Sequence, residues 1–159
     1  MSNIAYNRIR RLQFEIVSNE HRKHPNVAVK LPMRSTAKAG AYDFFSPVEM
    51  TIAPHTQAML WTDVKAKMPH DLLLMLNVRS SMGKHGIRLA NTLGWVDADY
   101  YTNLSNDGNI GLLLENNGDT PFEIHPGDRI AQGTFVRYYI TEDDDVSTER
   151  SGGFGSTGQ

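Results

Sequence analysis

The sequence predicts an all-β domain, a sandwich or barrel of short strands. No window carries the sustained i, i+3, i+4, i+7 apolar stripe of a long amphipathic helix. Strand-length runs recur about every ten residues with turn signals between them, and Pro47, Pro54 and Pro69 punctuate the series.

Residues 12–17 alternate apolar Leu12, Phe14 and Ile16 with polar Gln13 and Glu15, the period-two signature of a half-buried first strand. A polar break follows through residues 19–23 and His24-Pro25. His21 and His24 stand i, i+3 apart, a spacing that clamps a metal on a helix, but Pro25 argues against helix here. Residues 27–31 form a second, shorter alternating run. Residues 32–43 are rich in small side chains, and Gly40 between two alanines lets the backbone approach another group closely. Asp43 then stands either as a carboxylate in a narrow cleft or in a plain strand-edge loop. Residues 48–52, 57–64 and 72–78 are the next strand-type runs.

Arg79-Ser80-Ser81-Met82-Gly83-Lys84-His85-Gly86-Ile87 supplies the chemistry of an anion site. Arginine offers a planar donor fork, the serines add short donors, and Gly83 and Gly86 allow backbone N–H groups to converge. Lys84 reads equally well as solvated charge, and His85 as a structural turn residue. The stretch lacks the Gly-Lys-Ser/Thr ending of a P-loop, so no ATPase of that type is expected. Gly94-Trp95-Val96-Asp97-Ala98-Asp99-Tyr100 packs two carboxylates and a phenol together. Aspartates at i and i+2 share one side of an extended strand and repel unless each has separate work or separate partners. The stretch reads as a site, with a hairpin mouth whose carboxylates accept backbone N–H bonds as the bland alternative.

Residues 110–114 are a further strand, ended by the turn signal Asn116-Asn117-Gly118. Residues 122–124 and 133–140 are strand-type runs around Pro126-Gly127-Asp128-Arg129-Ile130-Ala131-Gln132, itself an ordinary turn followed by an arginine of the usually solvated kind. The acids at 142–145 read as a solvated linker. The last ten residues hold four glycines and no core-forming potential. Ordering them costs on the order of 10 kcal/mol of backbone entropy, which only a ligand could offset. One arginine, one aromatic ring, two hydroxyls and bare amides are nonetheless the groups needed to close over a nucleoside triphosphate.

The 159 residues, 40% apolar, suit one domain. Sixteen Lys and Arg against 18 Asp and Glu give a net charge of −2, so neither nucleic-acid nor membrane-surface binding is expected. The absence of cysteine excludes disulfides, thiolate nucleophiles and Cys-based zinc sites. Met1 through Arg8 lacks an apolar signal core, and the longest purely apolar run, 72–76, is far too short to span a bilayer. A soluble, cytoplasmic protein is the expectation.

Five stretches, in this order, resemble the five motifs of the homotrimeric deoxyuridine triphosphatase (dUTPase) family. They are Ala39-Gly40-Ala41-Tyr42-Asp43, Arg79-Ser80-Ser81-Met82-Gly83, the Gly94 to Tyr100 segment, Pro126-Gly127-Asp128-Arg129-Ile130-Ala131-Gln132, and Arg150 with the tail Gly152-Gly153-Phe154-Gly155-Ser156-Thr157-Gly158. The resemblance runs from about residue 31 to the end and looks like the Gram-positive and phage forms. It implies a jelly-roll β domain over 1–141, with 1–11 as an N-terminal extension and 142–159 as linker and mobile arm. It implies trimers in which the arm of one subunit closes over a pocket built by the other two.

The resemblance further implies hydrolysis of dUTP to dUMP and pyrophosphate, which limits uracil in DNA and supplies dUMP for thymidylate synthesis. By that likeness Asp97 activates the attacking water, and Tyr100 packs under the deoxyribose and refuses a 2′-hydroxyl. Asn91 meets the uracil edge, while Arg79, Ser80, Ser81, Gly83 and Gln132 hold phosphates. Asp43 acts through water bound to Mg²⁺, Phe154 stacks over the base, and Arg150 with Gly155, Ser156 and Thr157 completes the closure.

The chain departs from the family pattern at residues 101–107, an insertion before Gly108, and at Arg150, one residue from Gly152 where many members have two between. One rival is dCTP deaminase, whose catalytic glutamate would fall on Leu113, two residues from Glu115. The other is a phage-type regulatory role with an unidentified protein partner, for which residues 1–11 or 101–107 would be the places to look.

Overall fold

The computed structural model describes residues 12–150 and 152–154. Strands over these residues are β1 (Gln13–Ile16), β2 (Tyr42–Phe45), β3 (Met50–Ile52), β4 (Gln57–Trp61), β5 (Val64–Lys67) and β6 (Leu72–Asn77). They continue with β7 (Ile87–Leu89), β8 (Gly94–Asp97), β9 (Gly111–Asn116), β10 (Phe122–Ile124) and β11 (Arg129–Arg137). A single turn of helix, α1 (Ser80–Gly83), and a 3-10 turn (Ala98–Tyr100) interrupt them. All pairings are antiparallel, in sheets ordered β2-β11-β6-β8, β4-β9-β7, β1-β5 and β10-β3. This is the all-β architecture that the runs of short strands predict, and it is consistent with the jelly roll that the resemblance implies.

β6 is central, and its sequence says why. Leu73, Leu74 and Leu76 are all buried, so both faces of the strand are covered and the run reads as continuous rather than alternating. β9 alternates instead: Leu112, Leu114 and Asn116 enter the core, while Gly111, Leu113 and Glu115 face the other way. Phe44, Leu60, Leu74, Leu112, Leu114, Ile130 and Ala131 form the fully enclosed centre. Gly133 in β11 lies against it because a Cβ there would stand 2.9 Å from Leu74 Cδ1 and Leu76 Cδ2 and 3.0 Å from Phe44 Cε2. Beside the core, Phe14 meets Tyr42, Phe44 and Phe135 at ring separations of 5.3, 5.4 and 5.5 Å.

The structure corrects the sequence reading at several elements. Residues 27–31 form no strand; Val27 and Val29 turn half inward as their alternation requires, but the segment lies between Pro25 and Pro32 and joins no ladder. The run at 57–64 is two strands. Asp63 takes φ 55° and turns the chain from β4, paired with β9, into β5, paired with β1. The run at 133–140 is displaced: β11 begins at Arg129 and ends at Arg137, leaving Tyr139 and Ile140 exposed. The turn after β6 is helical at Ser80–Gly83, which glycine and serine spacing does not announce.

The corner at Asp63 is held by charge. Its carboxylate, fully buried, accepts hydrogen bonds from Lys23 N, His24 N and Asn109 Nδ2, each at 2.8 Å, with Arg22 Nε at 3.5 Å. Removing one partner of such a buried pair strands the other without solvation. Asp63→Ala is therefore expected to lower the unfolding free energy by about 3–5 kcal/mol. Urea unfolding at fixed protein concentration measures this, and an unchanged midpoint would remove the corner from the account of stability.

Candidate active site

Register brings three of the motif residues together. On β11, Gln132 lies opposite Asp43 of β2 on one side and Asn77 of β6 on the other. Two residues past Asn77, Arg79 sends its Nε to within 3.0 Å of Asp43 Oδ1, while Arg129 Nη1 stands 3.5 Å from Asp43 Oδ2. Asp43 is buried, and two guanidiniums hold its carboxylate. Arg129, expected as solvated charge, is thus part of the cluster. Arg79, Ser81, His85, Asp128 and Arg129 line a cavity of about 290 Å³ here. Ser80 and Gly83 are exposed on α1, and a Cβ at Gly83 would meet nothing within 4 Å, so space alone does not demand glycine there.

A second cavity, about 360 Å³, gathers the rest. Asn91, Asp97, Tyr100, Arg150, Gly153 and Phe154 line it, with apolar walls from Leu89, Val96, Leu112 and Leu113. β8 ends at Asp97, and the chain passes directly into the 3-10 turn. Asp97 and Asp99 therefore do not share a strand face, as their spacing suggests; they share a partner. Arg150 donates from Nη2 to Asp97 Oδ2 at 2.7 Å and from Nε to Asp99 Oδ1 at 2.8 Å, and its side chain is 10% exposed. The fork of the guanidinium fits two carboxylates side by side, so the arm rests on the cavity of its own chain.

Phe154 meets Trp61 edge to face at 5.9 Å. Trp61 belongs to no motif. Its place is legible afterwards from register, since it lies opposite Gly111, where a Cβ would stand 2.8 Å from the indole. Gly155, Ser156 and Thr157, and the extension at 1–11, lie outside the described residues.

Tyr100 is buried against the cavity, with Arg150 Cζ 5.8 Å from its ring centre. Its hydroxyl donates to Asn109 O and accepts from Asn106 Nδ2, both at 2.7 Å. Burial pushes its pKa up, partly countered by the Asn106 hydrogen bond and the Arg150 charge. The inserted residues 101–107 are fixed to the domain. Tyr101 Oη donates to Glu15 Oε2 at 2.7 Å, and Asp107 takes Lys65 Nζ at 2.8 Å and Ser18 N at 2.8 Å.

The two cavities are separate because of strand geometry. Asp97 lies opposite Leu73, whereas Gln132 lies opposite Asn77. Four residues of β6 separate those levels, about 13 Å along the strand. One cavity thus holds a half-exposed carboxylate, a phenol and apolar walls, and the other holds two arginines and the Ser81 hydroxyl, groups of the kind that bind anions.

A family model described as dUTPase matches residues 28–158. The chain belongs to the dUTPase family. The deoxyuridine 5′-triphosphate nucleotidohydrolase of Lactococcus lactis is 34% identical over 148 residues, spanning 91% of this chain and 96% of the relative. The crystal structure of dUTPase from Streptococcus mutans superposes with a TM-score of 0.71 at 32% identity, covering 81% of this chain and 98% of that one. A point mutant of the dUTPase from phage phi11 of S. aureus, a structure described as coordinating a structural Mg(II) ion, shares the fold at TM-score 0.66 and 22% identity, over 87% and 97% of the two chains. The enzyme is a dUTP diphosphatase, which hydrolyses dUTP.

The inserted loop should register in acid. Burial raises the Asp107 carboxyl, but the Lys65 hydrogen bond, the bonds from Ser18 and the Lys65 charge outweigh it and hold the pKa below its ordinary 3.8. A lowered folded value contributes stability that is present above the unfolded pKa and lost as pH falls through the folded one. Asp107→Asn is expected to cost about 2 kcal/mol at pH 7 and to flatten the loss of stability below about pH 4. Thermal unfolding across pH 2–7 checks both; an acid limb parallel to that of the parent would exclude the Lys65 pair.

Proposed function

We propose that the enzyme cleaves dUTP to dUMP and pyrophosphate by in-line attack of water on the α-phosphorus, in a homotrimer whose sites combine the two cavities from different copies. The observation that carries this reading is the separation of Asp97 from the Arg79, Gln132 and Asp43 cluster by strand register. A carboxylate base in one cavity and phosphate ligands in another can act on one triphosphate only if a second copy brings its cluster to the first.

Asp97 accepts a proton as the water oxygen bonds to the α-phosphorus; the bond from phosphorus to the bridging oxygen breaks, and pyrophosphate leaves. Asp97 is a weak base by nature, so its contribution is chiefly to orient the water. Arg79, Ser80, Ser81, Gly83 and Gln132 receive the phosphates, and Tyr100 supports the sugar. Asn91 and neighbouring backbone groups meet the uracil edge, with Phe154 over its face. Arg150 exchanges its carboxylate partners for phosphate oxygens, with Gly155, Ser156 and Thr157 beside it. The reaction limits uracil in DNA and supplies dUMP for thymidylate synthesis.

Mg²⁺ fits the residues as a cation carried on the triphosphate. Asp43 has both oxygens on arginines, and no group of three or more His, Cys, Asp or Glu able to hold a metal occurs among the described residues. A hard cation that keeps its waters and rides on phosphate oxygens needs no such cage, and Asp43 would meet it through water. When bound, it neutralises phosphate charge. No helix of the described residues is long and apolar enough to cross a membrane.

The deaminase reading is disfavoured at the position that distinguishes it. Leu113 lines the apolar wall of the cavity, and Glu115, two residues along, is held by Arg88 Nε at 2.7 Å.

Incubation with Mg²⁺ and, separately, dUTP, dCTP, dTTP and UTP is expected to give pyrophosphate and dUMP from dUTP alone, with Asp97→Asn lowering kcat by about 10²–10⁴-fold. Ammonia from dCTP would replace the reading. Co-refolding Asp97→Asn subunits with Arg79→Ala subunits is expected to restore activity that neither has alone, because some mixed sites then contain both intact residues. No recovery would overturn the composite site.

A further inference from the structure

The loop after Tyr100 is built from asparagines whose side chains point inward. Asn103 and Asn106 are each 8% exposed, and Asn109 is fully buried. Asn106 spends its amide completely. Its Nδ2 donates to Tyr100 Oη at 2.7 Å and reaches Asn109 O at 3.4 Å, while its Oδ1 accepts from Asn103 Nδ2 at 2.6 Å and Gly108 N at 3.0 Å. Asn103 Nδ2 also donates to Tyr100 O at 2.8 Å. Tyr100 is thus held at both its side-chain hydroxyl and its backbone carbonyl by one loop.

The same amide meets the arm. A Cβ at Gly153 would collide with Ser105 Oγ and stand 3.1 Å from Asn106 Nδ2. Asn106 therefore bonds the Tyr100 hydroxyl and lies beside the Gly153 segment, without itself lining the cavity.

We propose that Asn106 is a positioning residue for sugar selection, fixing the tilt of the Tyr100 ring and through it the room left at the 2′ carbon of the bound nucleotide. A phenol anchored only by packing can swing about its Cα–Cβ bond, and a swinging ring opens the space that a ribose hydroxyl needs. The donated and accepted hydrogen bonds at Oη close that freedom. The inference rests on the proposal that Tyr100 lies under the deoxyribose.

The test is calorimetric binding of α,β-imido-dUTP and α,β-imido-UTP, with Mg²⁺, to the full-length protein and to Asn106→Ala, Tyr100→Phe and the double variant. Asn106→Ala is expected to reduce the preference for the deoxy analogue about tenfold, the scale of one well-made buried hydrogen bond. Tyr100→Phe, which removes only the oxygen that Asn106 holds, should do the same, and the double variant should lose no more than either. An unchanged preference in Asn106→Ala, or additive losses, would overturn the role of Asn106. If Asn106→Ala does not fold, Tyr100→Phe decides alone, because an unaltered preference there leaves Asn106 nothing to act through. A parent protein that binds both analogues equally would overturn the sugar-site reading and this inference with it, whereas a parent preference that survives in the variants overturns the inference alone.

Discussion

Everything in the site depends on the register of β6 between β11 and β8. Gln132, Asp43 and Asn77 fall in one row across the sheet, so Arg79 arrives beside Asp43 with only the first turn after the strand to travel. The same strand, paired with β8 on its other edge, sets Asp97 level with Leu73. Because side chains alternate with period two, slipping β11 by one residue would turn its motif residues to the opposite face, and the burial of Leu74 and Leu76 against Gly133 forbids it. Core packing and site geometry are one constraint. The arginine cluster is assembled in each chain, and so is the cavity that Asp97 and Tyr100 line, but the sheet holds them apart. The proposed assembly of copies would join them.

The second feature is how much polarity the domain buries beside that site. Asp63, Asn109 and Asn116 are fully enclosed, and Lys65, Asn103 and Asn106 nearly so. Each is satisfied. Asn116 donates to Ile52 O and Thr120 O at 2.9 Å, and Lys65 Nζ sits on both oxygens of Asp107. A loop after a buried tyrosine has unpaired backbone groups to satisfy, and asparagine side chains, with two donors and an acceptor oxygen, imitate the missing ladder. Such a network adds little net stability, yet leaving any one member unpaired costs about 1–3 kcal/mol, so it selects one conformation steeply. The residues 101–107 consequently behave as a structural insert that stiffens the cavity floor.

Much of this was legible in the chain. The period-two run at Leu12, Phe14 and Ile16, the apolar block at 72–78 and the absence of helical periodicity lead to the all-β architecture. Of the residues that the five motifs name, Arg79, Ser81 and Arg129 line one cavity and Asp97, Tyr100, Arg150, Gly153 and Phe154 line the other. What stayed hidden has a physical reason in each case. Residues 57–64 read as one strand because nothing in the apolar pattern marks a change of sheet; the signal was Asp63, an acid in a run of strand formers, which takes a left-handed conformation that aspartate tolerates. Arg129 looked solvated because its carboxylate partner lies 86 residues away. Trp61 gave no functional signal because its meaning depends on Gly111 across the ladder. The sharing of Arg150 between Asp97 and Asp99 was half visible: two acids so close need partners, but sequence does not say that one guanidinium serves both.

That shared arginine also anchors the start of the glycine-rich arm. Placing residues of such a segment costs about 1–2 kcal/mol each. Arg150 gains two charge-assisted hydrogen bonds in return, from carboxylates that remain about half exposed, 55% for Asp97 and 51% for Asp99. The edge-to-face contact of Phe154 with Trp61 adds about 0.5–1.5 kcal/mol. Each of these gains is of the size of the cost for a single residue, so the resting contact is shallow. A triphosphate offers the same guanidinium more negative charge than two solvated carboxylates do, and a base offers Phe154 a broader face than the edge of an indole. The arm is therefore tuned to exchange partners, and in the proposed reaction its departure from Asp97 is what frees that carboxylate for water.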